Sequence, residues 1–213
     1  ITTFRADVST DGRRATVAFT TDMAVDAGRR DFTMNALYAD AGGEVIDPLG
    51  GLPDLVARHV RFIGQPEDRI CEDFLRILRF FRFHAWYGAE GIDPDGLAAC
   101  AGLAEGIDGL ARERIGWEMR KLLSAPDPAP AMASMASSGV LMRCLPGADI
   151  TALAPLVHLE QVRGLSADWR TRLAALGADD LTGRLRLSRA ETAAMERIAG
   201  AMSGGLSPGE SAY

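Results

Sequence analysis

The chain opens on two short runs rich in apolar and β-branched residues, "ITTFRADV" and "ATVAFT", on either side of the polar "STDGRR". The Asp11-Gly12 pair favours a tight hairpin, so two antiparallel strands are predicted. Residues 22–39 change to helical texture, from "DMAVDAG" into "RRDFTMNALYA". A short strand is predicted at Glu44–Ile46 between glycine-marked turns, and "LPDLVARHVRFIG" gives a short helix and a brief strand. From about residue 68 the pattern is helical to the end. Its segments are "EDFLRILRFFRFHAWYG", closed by Gly88, then "PDGLAACAGLAEGI", "ARERIGWEMRKLLSA", "AMASMASSGVLMRCL", "TALAPLVHLEQV", "ADWRTRLAALG" and "SRAETAAMERIAGAM". Ser188, three residues before Glu191, makes a capping box for the last of these. A small α/β piece followed by an all-helical array is the predicted organisation: mostly α with a small β part.

Residues 72–86 carry the most informative pattern. On a wheel of about 100° per residue, Phe74, Ile77, Leu78, Phe81 and Ala85 form one apolar stripe that must face a core. Glu72, Arg76 and Arg79 fall on the opposite side, with Asp73 and Arg82 on its flanks. Two readings of that polar face stand side by side. It is a solvated set of i,i+3 and i,i+4 ion pairs, or it reads a nucleobase. Adenine and cytosine each present an amino donor beside a ring-nitrogen acceptor. A carboxylate accepts from the first and a guanidinium donates to the second. Guanine and uracil show the reverse polarity and would leave buried groups unpaired. Asp73 and Arg76, three residues apart, would then select A and C without a template, leaving Arg79 and Arg82 for phosphates or for support.

Composition narrows the field. The 213 residues are 47% hydrophobic and 24% charged, as in a soluble globular protein. No apolar run reaches the roughly 18 residues that span a bilayer, and "ITTFRADVST" is not a signal peptide. Cys71, Cys100 and Cys144 stand far apart, which argues against a disulfide framework or a structural zinc site and for a reducing cytoplasm. His59, His84 and His158 are isolated. A net charge of −6 does not by itself suggest a nucleic-acid partner. Lys121, however, is the only lysine among 23 basic residues, and arginines are dense over 58–82. Arginine's planar fork suits phosphates and base edges, although biased codon usage accounts for the count equally well. Trp86, Trp117 and Trp169 read as core or helix-packing residues, and Arg184, Arg186 and Arg189 as a solvated helix start.

Four stretches in order, "RRDFTMNALY", "GEVIDPLGGLPDLVARHVRFIG", "EDFLRILRFFRF" and "RERIGWEMRKLL", resemble successive motifs of the class II tRNA nucleotidyltransferase/poly(A) polymerase family. The resemblance covers about residues 1–145 and is specific because the order and spacing match as well as the letters. It implies an enzyme that adds CMP and AMP to RNA 3′ ends, most often the CCA end of tRNA, from CTP and ATP with Mg²⁺. It implies a nucleotidyltransferase head over 1–65, a helical neck over 66–124 and an RNA-binding helical body over 125–213. Carried over by position, Asp73 and Arg76 become the amino-acid template for the base, and Arg79 and Arg82 contact the nucleotide or order that template. Arg30 and Asp31 hold its sugar and phosphates, with Asn35 in support. Asp47 to Gly64 form a flexible connection, and Arg114 and Glu118 buttress the template helix.

One departure matters. The family's glycine-rich turn and its D-x-D carboxylates have no counterpart here; Asp93-Pro94-Asp95 lies in a proline-bearing turn after the template helix and is a decoy. "ITTFRAD" resembles the strand that follows those carboxylates, so the catalytic carboxylates are expected upstream of Ile1, with no catalytic or metal-binding residue in the chain itself. On that expectation the 213 residues bind nucleotide without transferring it. Poly(A) addition and a non-catalytic RNA-binding helical protein are the alternative readings.

Overall fold

The computed structural model describes residues 3–11, 14–89 and 91–204. Strands β1 (Arg5–Asp11) and β2 (Arg14–Phe19) pair antiparallel, Arg5 with Phe19 and Asp11 with Arg14, with an irregularity between Asp7 and Ser9. The strands run further into "STDGRR" than expected, and Gly12 of the turn lies outside the described residues. Asp22 starts α1 (Met23–Gly28) by accepting from the N–H groups of Ala24 and Val25 at 2.8 and 3.4 Å.

The helix expected to run on through "RRDFTMNALYA" stops at Gly28. Phe32 is extended and fully buried and forms a bridge with Phe62. The N–H of Thr33 donates to the Arg61 carbonyl and the N–H of Ile63 to the Asp31 carbonyl, both at 3.0 Å. The Phe32 ring lies 5.0 Å from Phe62 and 4.8 Å from Phe83. Long-range pairing around a buried aromatic outweighs the modest helix propensity of this stretch. A 3-10 turn (Thr33–Asn35) follows, then β3 (Tyr38–Ala39) against β4 (Val45–Ile46), then α2 (Leu52–Val56). Asp31 therefore sits at no helix N-terminus.

A second difference falls on the helix expected over 72–86. It is two helices, α3 (Pro66–Glu72) and α4 (Leu75–Tyr87), broken at Asp73 and Phe74. Asp73 is extended (φ −158°, ψ 106°), and its carboxylate accepts from the Leu75 N–H at 3.1 Å. This is the local bond by which aspartate competes with a helix ladder. On α4, Ile77, Leu78 and Phe81 are buried as the wheel requires, and Phe80 joins them.

The array continues with α5 (Pro94–Gly102), a 3-10 turn (Ala104–Gly109), α6 (Arg112–Leu123), α7 (Ala129–Ser137) and α8 (Val140–Cys144). It closes with α9 (Leu153–Arg163), α10 (Trp169–Ala175), α11 (Leu181–Leu185) and α12 (Arg189–Gly204). "AMASMASSGVLMRCL" divides at Gly139, whose φ of +76° suits glycine. The capping box forms: the Ser188 N–H donates to Glu191 at 2.7 Å, and the Glu191 N–H to the Ser188 hydroxyl at 3.3 Å. α4 packs on α6 and α7, burying Ile115, Met119 and Leu122 of α6 and Met132 and Met135 of α7. Cys100 of α5 and Cys144 of α8 are buried, which pushes both thiols up, while Cys71 is exposed. No helix among the described residues is long and apolar enough to cross a membrane.

Gly116 of α6 fixes how closely α11 approaches. A Cβ at this position would lie 2.2 Å from the Leu185 carbonyl oxygen, a backbone atom that cannot swing aside. Gly116→Ala is expected to cost about 1–3 kcal/mol, seen as a lower urea midpoint at unchanged slope. A variant as stable as the parent would mean that the two helices do not meet this closely.

Candidate functional site

The corner between α3 and α4 faces the segment Arg29–Asp31, and three arginines reach across to it, with Arg82 next to them on α4. Arg69 donates to the Arg30 carbonyl and pairs with Glu72 at 2.7 Å. Arg76 donates to the carbonyls of Arg29 (3.2 Å) and Arg69 (2.7 Å) and pairs with Glu72. Arg79 pairs with Asp31, and Arg82 with Glu118 of α6 at 2.5 Å. Glu118 is only 3% exposed, and its other oxygen lies 4.0 Å from Arg79. The guanidinium groups of Arg79 and Arg82 lie 5.6 and 4.6 Å from the Phe83 ring centroid. Glu118 thus holds two cations in a shielded setting where each charge has a partner.

Asp73 lies at the more open end of this seam, beside Arg76, whose own side chain is 12% exposed. Their link is through the backbone, since the Arg76 N–H donates to the Asp73 carbonyl at 2.9 Å. The Asp73 carboxylate pairs with Arg114 at 2.6 Å, with side chains 34% and 44% exposed. Such a half-exposed pair is worth about 0–1 kcal/mol, so an incoming donor can displace Arg114 at little cost.

Arg30 and Asn35 form a neighbouring cluster. Arg30 pairs with Asp26 at 3.2 Å, donates to the Asn35 carbonyl at 3.1 Å and stacks 4.8 Å from the Tyr38 ring centroid. The Asn35 side chain accepts from the Phe32 N–H at 3.3 Å. Burial works against the Asp26 carboxylate, yet hydrogen bonds from the Tyr38 hydroxyl (2.5 Å), the Arg5 N–H and Arg30 hold its pKa below the usual value. Burial and the same carboxylate push Tyr38 up.

Sequence reasoning missed Asp26, Tyr38 and Arg69. Arg69 is mostly buried, and its Nε has no partner among the described residues. Burial and the adjacent Arg76 both lower its pKa. Its spacing to Glu72 reads as an ordinary surface ion pair, and no sequence signal says that its guanidinium reaches the Arg30 carbonyl.

The decoy carboxylate has a structural task. Asp93 caps α5 by accepting from the Gly96 N–H at 2.7 Å and pairs with His59 at 3.0 Å. Among the described residues no three His, Cys, Asp or Glu side chains group so as to hold a metal ion. The described residues therefore do not fit a Mg²⁺ site. Two clefts, of about 510 and 530 Å³, lie elsewhere, between α10 and α12 and beside the C-terminus of α4. The tryptophans correct an expectation. Trp169 is partly buried, but Trp86 is 39% and Trp117 58% exposed, so Trp117 is not core.

Known proteins resemble this chain in sequence and fold. Residues 1–61 match the family described as "Poly A polymerase head domain", and residues 91–151 match "Probable RNA and SrmB- binding site of polymerase A". Human mitochondrial CCA tRNA nucleotidyltransferase 1 is 46% identical over 125 residues, covering 58% of this chain and 29% of that protein. The CCA-adding enzyme of Streptococcus gordonii is 35% identical over 210 residues, covering 93% of this chain and 51% of that one. The solved Bacillus stearothermophilus CCA-adding enzyme in complex with CTP superposes with a TM-score of 0.75 at 30% identity, over 95% of this chain and 51% of the other. The chain thus spans about half, or less, of the length of the relatives it matches.

Proposed function

Because this chain belongs to the class II tRNA nucleotidyltransferase/poly(A) polymerase family, we propose that it serves template-independent addition of CMP and AMP to RNA 3′ ends. CCA addition to tRNA is the reaction proposed within the family. Asp73 and Arg76 select the base, and Arg79, Arg82 and Glu118 keep the selecting pair in place. Arg30, Asp31 and Asn35 take the sugar and phosphate side of the nucleotide, Arg30 by exchanging its present partners. Arg114 buttresses Asp73. Head (1–65), neck (66–124) and RNA-binding body (125–213) are the proposed division. Mg²⁺ is proposed as the reaction's metal, held by no residue named here, and a reducing cytoplasm as the setting.

The observation that carries this reading is the division of the seam by exposure. The half-exposed side chains at its mouth, Asp73 (34%), Arg114 (44%) and Glu72 (40%), can open for a base, with Arg76, 12% exposed, set beside them. The shielded pairs behind them, with Asp31 13% and Glu118 3% exposed at the side chain, hold the frame. A ligand can therefore exchange partners at the mouth without uncompensating a buried charge.

The test is binding of the four ribonucleoside triphosphates to the 213-residue chain, followed by NMR shift perturbation. CTP and ATP are expected to move signals of residues 73–82, and UTP and GTP to do so only at far higher concentration. Equal binding by all four would overturn the reading.

A further inference from the structure

Arg114, Trp117 and Lys121 follow one another on α6 at spacings of three and four residues, so they share one face. The stripe begins at the selecting carboxylate, since Arg114 pairs with Asp73. At about 1.5 Å per residue it extends roughly 10 Å along the helix. At its far end the Trp86 indole donates to the Lys121 carbonyl at 2.8 Å. Trp117 is 58% exposed, and its only described ring partner is the Lys121 ammonium, 4.7 Å from the centroid. Among the described residues the contact of the Lys121 ammonium is with this ring. Glu113 faces Arg186 at 3.4 Å, so this carboxylate of α6 has a cation of its own.

An open indole flanked by cations is the composition of a single-strand nucleic-acid track. We propose that Trp117 is a stacking platform for an unpaired base of the RNA strand whose 3′ end is presented beside Asp73, with Lys121 and Arg114 on its phosphates. This rests on the proposed function and adds to it a subsite for the acceptor strand. Magnitudes favour the base over the resident cation. An exposed cation–π contact contributes about 0.5–1 kcal/mol, and stacking a base on an aromatic side chain about 1–3 kcal/mol. A base can therefore displace Lys121 from the ring and leave its ammonium for the phosphate beside it. Exposure also frees the position from any burden in the core, so its replacement tests binding rather than folding.

The experiment measures fluorescence anisotropy of a 5′-labelled single-stranded oligoribonucleotide ending in CC, at low salt, with the whole 213-residue chain. Trp117→Ala is expected to weaken binding roughly 5- to 100-fold, with Trp117→Phe in between. A blunt duplex of the same length offers no unpaired base and is expected to lose less than twofold. CTP titrations of the same samples are expected to coincide with those of the parent. The subsite is overturned if Trp117→Ala binds the single strand within twofold of the parent, if single strand and duplex weaken equally, or if the parent binds no single strand. The nucleotide titrations decide the selecting pair separately, so failure of the subsite and failure of the function read differently.

Discussion

Arg172→Met is expected to destabilise the protein by about 3–5 kcal/mol. Arg172 is 1% exposed and pairs with Glu160, itself 6% exposed, at 2.7 Å. It also donates to the carbonyls of Leu123 (2.7 Å), Ala125 (2.5 Å) and Pro126 (3.3 Å). One guanidinium from α10 thus serves the carboxylate of α9 and the orphan carbonyls where α6 ends. Methionine keeps most of the volume but leaves Glu160 buried without a cation. The double variant Arg172→Met/Glu160→Leu separates the contributions. It removes both charges, which alone can be neutral, yet the three carbonyls remain without donors at about 1–3 kcal/mol each. Partial recovery is therefore expected, measured by urea unfolding with coincident probes. Full recovery in the double variant would mean that the carbonyls find water. A single variant within about 1 kcal/mol of the parent would mean that Arg172 is not a structural clamp.

Arg172 also marks where sequence reading stops. "ADWRTRLAALG" reads as an amphipathic surface helix, and nothing local says that one of its arginines points inward. The same blindness hid Arg69 and Asp26, whose partners lie 39 and 21 residues away. Patterns with a short period were legible: the hairpin, the stripe of Ile77, Leu78 and Phe81, and the capping box. The helix breaks were less so. The break at Asp73 depends on a side-chain bond to Leu75 that periodicity cannot register, and the end of α1 depends on a bridge between residues 32 and 62. At the candidate site the letters of the arginine-rich motif pick out the residues proposed for it. Their partition into shielded supports and exchangeable pairs needed the α6 carboxylate, 36 residues from Arg82. Trp117 was misread because a helix with a strong apolar face still has a wet one, and the side chain was assigned by type rather than by phase.

Asp73→Ala is expected to cut the preference for CTP over UTP sharply. Cytosine offers its amino group to the Asp73 carboxylate and its ring nitrogen to the Arg76 guanidinium. Uracil places an oxygen where the amino group was and an N–H where the acceptor was, so both contacts fail. Two groups left unpaired at about 1–3 kcal/mol each set the discrimination at roughly 30- to 10⁴-fold, since 1.4 kcal/mol is tenfold. Alanine removes one of the two clashes with uracil and one of the two bonds to cytosine, so the ratio is expected to fall by at least about tenfold. Asp73→Asn adds a sign to the test. Its carbonyl oxygen can still accept from the Leu75 N–H and keep the break between α3 and α4, while its amide can donate to the uracil oxygen. UTP binding is therefore expected to rise against CTP, although Arg76 still opposes the uracil N–H. Arg114→Ala is the control, because loss of a half-exposed pair worth about 0–1 kcal/mol should change the ratio less than fivefold. Competition of UTP against CTP in the binding assay reads all three variants. If the ratio in Asp73→Ala equals that of the parent, the carboxylate at the helix break is a structural turn residue and the base is read elsewhere.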